Sequence, residues 1–461
     1  MLQKLIHRGI FLVLVLSTAL TACNRPVTTT DPVTLTTTTV TTTTEPSLTS
    51  TSTTSFTPTS TSPTHTTAKI TTTTPILPHL ILIAASDSSS QWKSLATVIC
   101  DGKSDQLIIN KYLITGHIIE LGPGTFNCDG TINLQANIHM YGQGDTTIIN
   151  CIGGGIYVHN VDNVELDHFK ITGAISLGII PASLYIDATT SDHSGFSIHD
   201  IKESAKGGFL VSTSSHQISN VVFANCDSSH PDGMGFFMDG DGFGSLLQDF
   251  IFYDCTVENA GTADTRYNDW VTGFDFAEGD NNLTVNRLSV IKCSVNGAWE
   301  SDFHLEGAPT VYNMVYTGCS ATNAGEKVGG ALFGAGFLVN GTTQDVVYNG
   351  NTTSSNANGD INAWNGSSYT NVTPIQNEIY PVGSSKTASG VTQGNCSGVI
   401  INTDSTHKEL VLYSNNGNLV NQQIELGATY IGDDGNTYTL NDTKIVAQFT
   451  NYAVIRLTKL E

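Results

Sequence analysis

The chain has 461 residues, a net charge of -22 and only 13% charged side chains, with 44 glycines and 4 tryptophans. That length exceeds one small domain and allows one large core with appendages. An acidic chain with no basic face excludes nucleic acid as a partner, because nothing would neutralise the phosphates. The acidity serves solubility first and cation or cationic-surface binding second.

Residues 1–22 read as a targeting signal: MLQKLIHRG supplies the positive start and IFLVLVLSTAL an apolar stretch too short to span a bilayer. The stretch ends in LTAC, which places Cys23 after a small residue. This resembles the lipoprotein signal of bacterial type, which implies cleavage before Cys23 and a diacylglycerol on its sulfur. Two or more acyl chains anchor stably where one does not. The expected location is therefore the extracellular face of a cell membrane, held there by lipid. Residues 23–75 are nearly all Thr, Ser and Pro, a composition that cannot bury a core. They read as an extended stalk.

Folded sequence begins near Leu80, in a domain expected over 76–393. HLILIAASD reads as a strand and SDQLIINKYLI as a short helix. HIIELGPGTF, TINLQANIHMYGQG and TTIINC then give short apolar strands broken at glycine and asparagine, with no long helical period. After Gly394, the pattern changes to alternating strands with NNGN and DDGN turns, predicting a small antiparallel β unit over 394–461. It would cap the solenoid or bind something of its own.

CDGKSDQ, a helix-like run, IIELGPGTF and IHMYGQGDTTIIN together resemble the N-terminal opening of right-handed parallel β-helix proteins of the pectate-lyase-like superfamily. The resemblance covers about 80–380 and implies an all-β solenoid of a kind usually secreted or surface-bound. Independent evidence comes from repeats. VVFANCD, FIFYDCT, SVIKCSV and VYTGCSA carry Cys226, Cys255, Cys293 and Cys319 at spacings of 29, 38 and 26 residues, and VVYNGNT has Asn351 in that place. One coil returns the chain about 4.8 Å above its start, so equivalent residues stack. Asn259, Asn296 and Asn323 fit turn positions. A vertical cysteine stack permits disulfides but not a tetrahedral zinc cluster; a ladder of buried thiols is the expectation.

Aligned on Phe236, Phe274, Phe303 and Phe337, the runs GFFMDG, GFDFAEG, DFHLEG and GFLVNG form four columns. The second holds Phe237, Asp275, His304 and Leu338; the third Met238, Phe276, Leu305 and Val339; the fourth Asp239, Ala277, Glu306 and Asn340. Places one and three are apolar and predict the inner side, so two and four should point outward. Asp239, Asp275, His304 and Glu306 would then share one outer patch, with Asp241, Glu278, Glu300 and Asp302 at its margins. Pleat geometry separates Asp275 from Asp239, and from Glu306, by about 8 Å. Inverting glycoside hydrolysis wants two carboxyls roughly 6.5–9.5 Å apart. Crowded acids would raise the pKa of one of them, and His304 would tune it.

Arg266, Tyr267 and Trp270 lie in the longest insertion, with Trp299 in the next coil. With Asp302 they form the expected sugar-binding wall. In a lyase, Arg266 would accept the proton and the acids, including Asp241 and Glu278, would hold Ca²⁺; a hydrolase requires no cofactor. No polygalacturonase signature or arginine-rich lyase strand is present, and Lys and Arg are scarce. His193, His199 and His230 read as turn histidines rather than ligands. The expected function is binding and cleavage of an extracellular polysaccharide, by hydrolysis before elimination. The alternative is a non-catalytic adhesin or structural surface protein that binds a surface glycan.

Overall fold

The computed structural model describes residues 79–173, 182–261, 271–279, 282–305, 310–325, 334–339, 343–349, 351–359, 361–363, 396–402, 407–414, 429–431, 436–439, 445–448 and 452–459. The signal, the stalk, Cys23, Arg266, Tyr267, Trp270 and Glu306 lie outside these residues, as do the side chains of Ala277 and Glu278.

The chain is a right-handed parallel β-helix, with a separate antiparallel sheet near its C-terminus. Each central coil has three strands. One coil runs Gln217–Ala224, Asp227–Ser229 and Phe236–Asp241; the next runs Leu246–Tyr253, Thr256–Glu258 and Phe274–Gly279. The first two faces join into one 18-stranded sheet, and the third is a nine-stranded sheet from Ile132–Asn133 to Ile361–Ala363. Every described pairing in the nine-stranded sheet is parallel. A parallel strand reached by a crossover takes the right-handed path, because twisted strands pack back onto their sheet only that way.

The corners explain the sequence spacing. Between the first and second faces stands one residue in the left-handed region: Asn225 (φ 50°), Asp254 (φ 51°), Lys292 (φ 54°) and Gly318 (φ 64°) in successive coils. The residue after it turns inward, and there the sequence has Cys226, Cys255, Cys293 and Cys319. All four are buried free thiols, as are Cys100, Cys128 and Cys151. At the fifth rung Asn351 replaces cysteine and ties two coils: its Oδ1 accepts from Cys319 N at 2.9 Å, and its Nδ2 donates to Tyr316 O at 3.1 Å. The second corner uses Asn259 (φ 53°), Gly297 (φ 79°), Asn323 (φ 63°) and Ser355 (φ 59°). Asn259 and Asn323 are turn residues as expected, whereas Asn296 ends its strand and Gly297 takes the turn.

Entry to the third face sets the glycine–phenylalanine repeat. A Cβ on Gly235 would lie 2.5 Å from Val257 Cγ2, and one on Gly273 would lie 2.4 Å from Val295 Cγ1. In these two coils the second face therefore leaves no room for a side chain before the phenylalanine. Phe209, Phe236, Phe274, Phe303 and Phe337 are paired in register. Their rings stack at 4.8, 4.6, 5.0 and 4.9 Å between centroids. Phe252 stands edge-on to Phe236 and Phe274.

At the N-terminal end the strand Leu80–Ala84 and the helix Gln106–Tyr112 form where the sequence predicts them. The helix Ser90–Leu95, capped by the Ser89 side chain, is additional. The C-terminal sheet is antiparallel, with His407–Ser414 between Cys396–Asn402 and Tyr452–Lys459. DDGN joins the antiparallel pair Thr429–Ile431 and Thr437–Thr439.

Candidate functional site

The outer side of the nine-stranded sheet carries the two columns of interest. One runs Tyr157, Tyr185, Leu210, Phe237, Asp275, His304, Leu338 in continuous register. The other runs His159, Asp187, Ser212, Asp239, Glu278. The first and second predicted columns are in register from Phe236 and Phe237 to Phe337 and Leu338, and the third from Phe276 through Leu305 to Val339. The fourth is not: a register shift after Phe237 pairs Asp239 with Glu278, not Ala277. One extra residue in a strand moves every later side chain to the next position.

Outward direction does not bring exposure along the whole face. Asp275 and His304 are each only 2% exposed. Phe237 and Leu338, in the same column, are buried too. This corrects the expectation of a solvent-facing acid patch at Asp275 and His304. Strand alternation decides which side a residue takes, not what covers that side. Within this covered part, His304 Nδ1 lies 3.5 Å from Asp275 Oδ2 and 3.8 Å from Glu300 Oε1. Asp275, His304 and Glu300 are thus gathered from two coils.

Asp302 is fully buried and occupies the place held by Gly235, Gly273 and Gly336 in other coils. Its Oδ1 accepts from Ala298 N at 3.4 Å. Burial pushes its carboxyl well above the ordinary range, partly offset by backbone hydrogen bonds. Its position inside the coil removes it from a sugar-binding wall. Trp299 packs half-buried against the core.

The more open part of the face lies on the earlier coils, at Tyr157, His159, Tyr185 and Ser212, which sequence reasoning left unassigned, and at Asp239 and Asp241, which it named; Asp187 between them is buried. Tyr157 and Tyr185 stack at 5.1 Å with an 18° interplanar angle. Tyr157 Oη donates to Asp187 Oδ2 at 2.5 Å, and His159 Nδ1 lies 2.6 Å from Asp187 Oδ1. Burial, then the bond to Asp187, raises the Tyr157 pKa, so its hydroxyl keeps its proton. Burial and the charge of Asp187 push Tyr185 up to about 12, with Asp239 and Asp241 adding to the effect. Asp239 is half-buried and Asp241 exposed. The signal was present in GIYVHN and SLYIDA, which repeat the later runs with Ile and Leu in place of the leading phenylalanine.

A second polar group sits on the first face of the solenoid. Glu165 and Asp167 point to one side of the strand Val164–Gly173. His139 comes from the coil below and His199 from the coil above. His139 Nε2 lies 2.6 Å from Asp167 Oδ2, and His199 Nε2 lies 3.3 Å from Glu165 Oε1. Burial alone would lower both imidazoles, but the surrounding carboxylates win. His139 is raised, and His199 is pushed up to about 10. His199 is therefore a strand residue in an acidic nest, not a turn histidine. His230 (φ 56°) does occupy a turn, beside Ser229 and Asn259. His193 opens its strand against Ser191 and Asp162.

Among the described residues, the convergent sets of three imidazole, thiol or carboxylate donors are His139–Glu165–Asp167 and Asp167–His168–His199, both on the first face and sharing Asp167.

The fold and this face define the chain as a parallel β-helix protein with an aromatic and acidic outer stripe. No family model matches it. No curated protein matches it either. Among solved structures it is similar to ORF18 of Geobacillus virus E2, at 13% identity and a TM-score of 0.35, over 78% of this chain and 73% of that one. It is similar to a polygalacturonase from Erwinia carotovora ssp. carotovora, at 9% identity and a TM-score of 0.36, over 67% of this chain and 100% of that one. It is also similar to the tailspike gp49 of Acinetobacter baumannii bacteriophage Fri1, a capsular polysaccharide depolymerase, at 11% identity and a TM-score of 0.30, over 82% and 86%. These likenesses carry no functional argument; the strand registers define the fold.

Proposed function

We propose that this chain is a cell-surface β-helix protein that binds extracellular polysaccharide along the outer side of its nine-stranded sheet and hydrolyses it there. The observation that carries this reading is the pairing of two stripes one residue pair apart. The aromatic stripe Tyr157–Tyr185 runs beside His159, Asp187, Ser212 and Asp239. Aromatic faces cover the apolar side of a sugar ring while carboxylates and hydroxyls bond its edge. Asp187 and Asp239 stand two rungs apart, about 9.6 Å between backbones at about 4.8 Å per rung, close to the separation used by inverting hydrolases. Asp187, buried but bonded to the more open Tyr157 and His159, serves as the base that activates water. Asp239 serves as the acid that protonates the leaving oxygen. The buried Asp275, His304 and Asp302 take no direct part. Lipid attachment at Cys23 and the Thr-rich stalk hold the domain off the membrane.

The test is a polysaccharide panel assayed for reducing ends and for unsaturated uronate absorbance. Reducing ends without unsaturated product are expected, lost in Asp187→Asn and Asp239→Asn. Unsaturated product would replace hydrolysis with elimination. Full activity in both variants would remove the pair from the mechanism. The burial of Asp275 and His304 favours one second reading, a glycan-binding adhesin; binding without any product establishes it. Accumulation of the uncleaved precursor under globomycin checks the lipid anchor, and its absence counts against Cys23.

A further inference from the structure

On the first face, two overlapping donor groups, His139–Glu165–Asp167 and Asp167–His168–His199, share Asp167 and draw on three successive coils, independently of the proposed glycan stripe. The geometry points to a binding site for a divalent transition-metal ion of the zinc class, held by His139, Glu165, Asp167 and His199.

Glu165 and Asp167 are two residues apart on one strand, so both project to the same side. His139 pairs with Glu165, and His199 pairs with Asp167. Each neighbouring coil thus brings one imidazole to the carboxylate pair. The Asp167 Oδ2 atom lies 2.6 Å from His139 Nε2 and 3.7 Å from His199 Nε2; Glu165 Oε1 lies 3.3 Å from His199 Nε2. Ligand atoms about 2.0–2.2 Å from a tetrahedral ion are about 3.4 Å from one another. Two of the three separations already match, and the third opens when the hydrogen bond between His139 and Asp167 is exchanged for the ion. Mixed imidazole and carboxylate donors suit zinc-class ions rather than Ca²⁺ or Mg²⁺.

The groups behind the donors are also those a metal site needs. His199 Nδ1, the nitrogen turned away from the cluster, lies 2.8 Å from Asp200 Oδ2. A carboxylate on the far nitrogen fixes the tautomer and the ring plane of a ligating histidine. His168 Nδ1 lies 2.5 Å from Asp167 Oδ1, so the other oxygen of that carboxylate is held as well. His168 (φ 56°) and Asp200 (φ 54°) both occupy the left-handed corner, and this conformation brings them back toward the donors. Asp167 and His199 are shielded from water, while His139 and Glu165 open onto a cavity of about 370 Å³ that also reaches His117, Asn137 and Ser197. Four protein donors complete a tetrahedral ion, and the cavity is its path of entry.

Full-length protein stripped with a chelator is titrated with Co²⁺, read by its visible absorption, and with Zn²⁺ by equilibrium dialysis. One ion per chain is expected, with a Co²⁺ band of tetrahedral intensity that Zn²⁺ displaces. His199→Ala should abolish the band, and His230→Ala, outside the cluster, should leave it unchanged. Asp200→Asn touches no ligand atom and is partly exposed. It should weaken binding roughly 10–100-fold with an unaltered far-ultraviolet spectrum, which keeps the test decisive if His199→Ala misfolds. A wild-type chain that retains no ion overturns the proposal and leaves a network of ion pairs. So does wild-type affinity in Asp200→Asn together with His199→Ala.

Discussion

Replacing Phe274 by alanine tests the coil registry on which every column depends. Phe274 is fully buried and touches four rings: Phe236 at 4.6 Å, Phe303 at 5.0 Å, Phe276 at 5.6 Å and Phe252 at 5.8 Å between centroids. Truncating a buried phenylalanine costs about 3–5 kcal/mol through lost transfer energy and the cavity left behind. Stacked or edge-on ring pairs contribute roughly 0.5–1.5 kcal/mol each beyond area burial. With neighbours above, below and beside it, Phe274→Ala belongs at the upper end, about 4–5 kcal/mol. Phe243→Ala is the control, because Phe243 is 88% exposed and should change stability by less than about 0.5 kcal/mol. Urea unfolding followed by circular dichroism reads both; at a slope of about 3 kcal/mol/M the Phe274 midpoint drops by more than about 1 M. A loss below about 1 kcal/mol would mean that the ring does not stand in a packed column, and the proposed stripes would lose their register.

Three further outcomes follow from other residues. Asp302 has a folded-state pKa above its unfolded value, so between those values the folded chain holds a proton that the unfolded chain releases. Wild-type stability therefore falls as pH rises above about 4, and Asp302→Asn, which keeps the acceptor for Ala298 N, should gain on wild type progressively from pH 4 to pH 8. Equal pH profiles in urea unfolding would place the Asp302 carboxyl in water. The seven buried thiols should resist a thiol reagent in the native chain and react after denaturation, with Cys100, Cys128, Cys151 and Cys255 held back further because burial raises each of them; masses showing paired cysteines would refute the thiol ladder. Arg287 bridges Asp249 on the preceding coil through Nε at 2.5 Å and Nη2 at 2.7 Å. Arg287→Lys keeps the charge and loses the fork, so a cost of about 1 kcal/mol is expected in the same assay, and no cost would mean the pair is fully solvated.

The sequence by itself determined the solenoid. Cysteine and phenylalanine recur once per coil because an inward position just after a corner, or just after the glycine forced by Val257 or Val295, accepts only what fits the tube. Those constraints are local and repeat, so spacing reveals them. The order of the columns from Phe236 to Leu338 was legible for the same reason, and it extended backward to Tyr157 and Asp187 on the same pattern. The tertiary structure alone decided the remainder. The register shift beside Asp275 moved Glu278 into line with Asp239, which no composition rule signals. Asp275 and His304 are buried although they stand on the outer side of the sheet, which strand alternation does not reveal. Asp302 stands buried in a glycine place of the repeat, at the coil where Ala321 falls in line with Val257 and Val295. The imidazoles of His139 and His199 meet Glu165 and Asp167 only because coils of unequal length bring their strands into register one rung apart; the 59 residues between those histidines carry no sign of it.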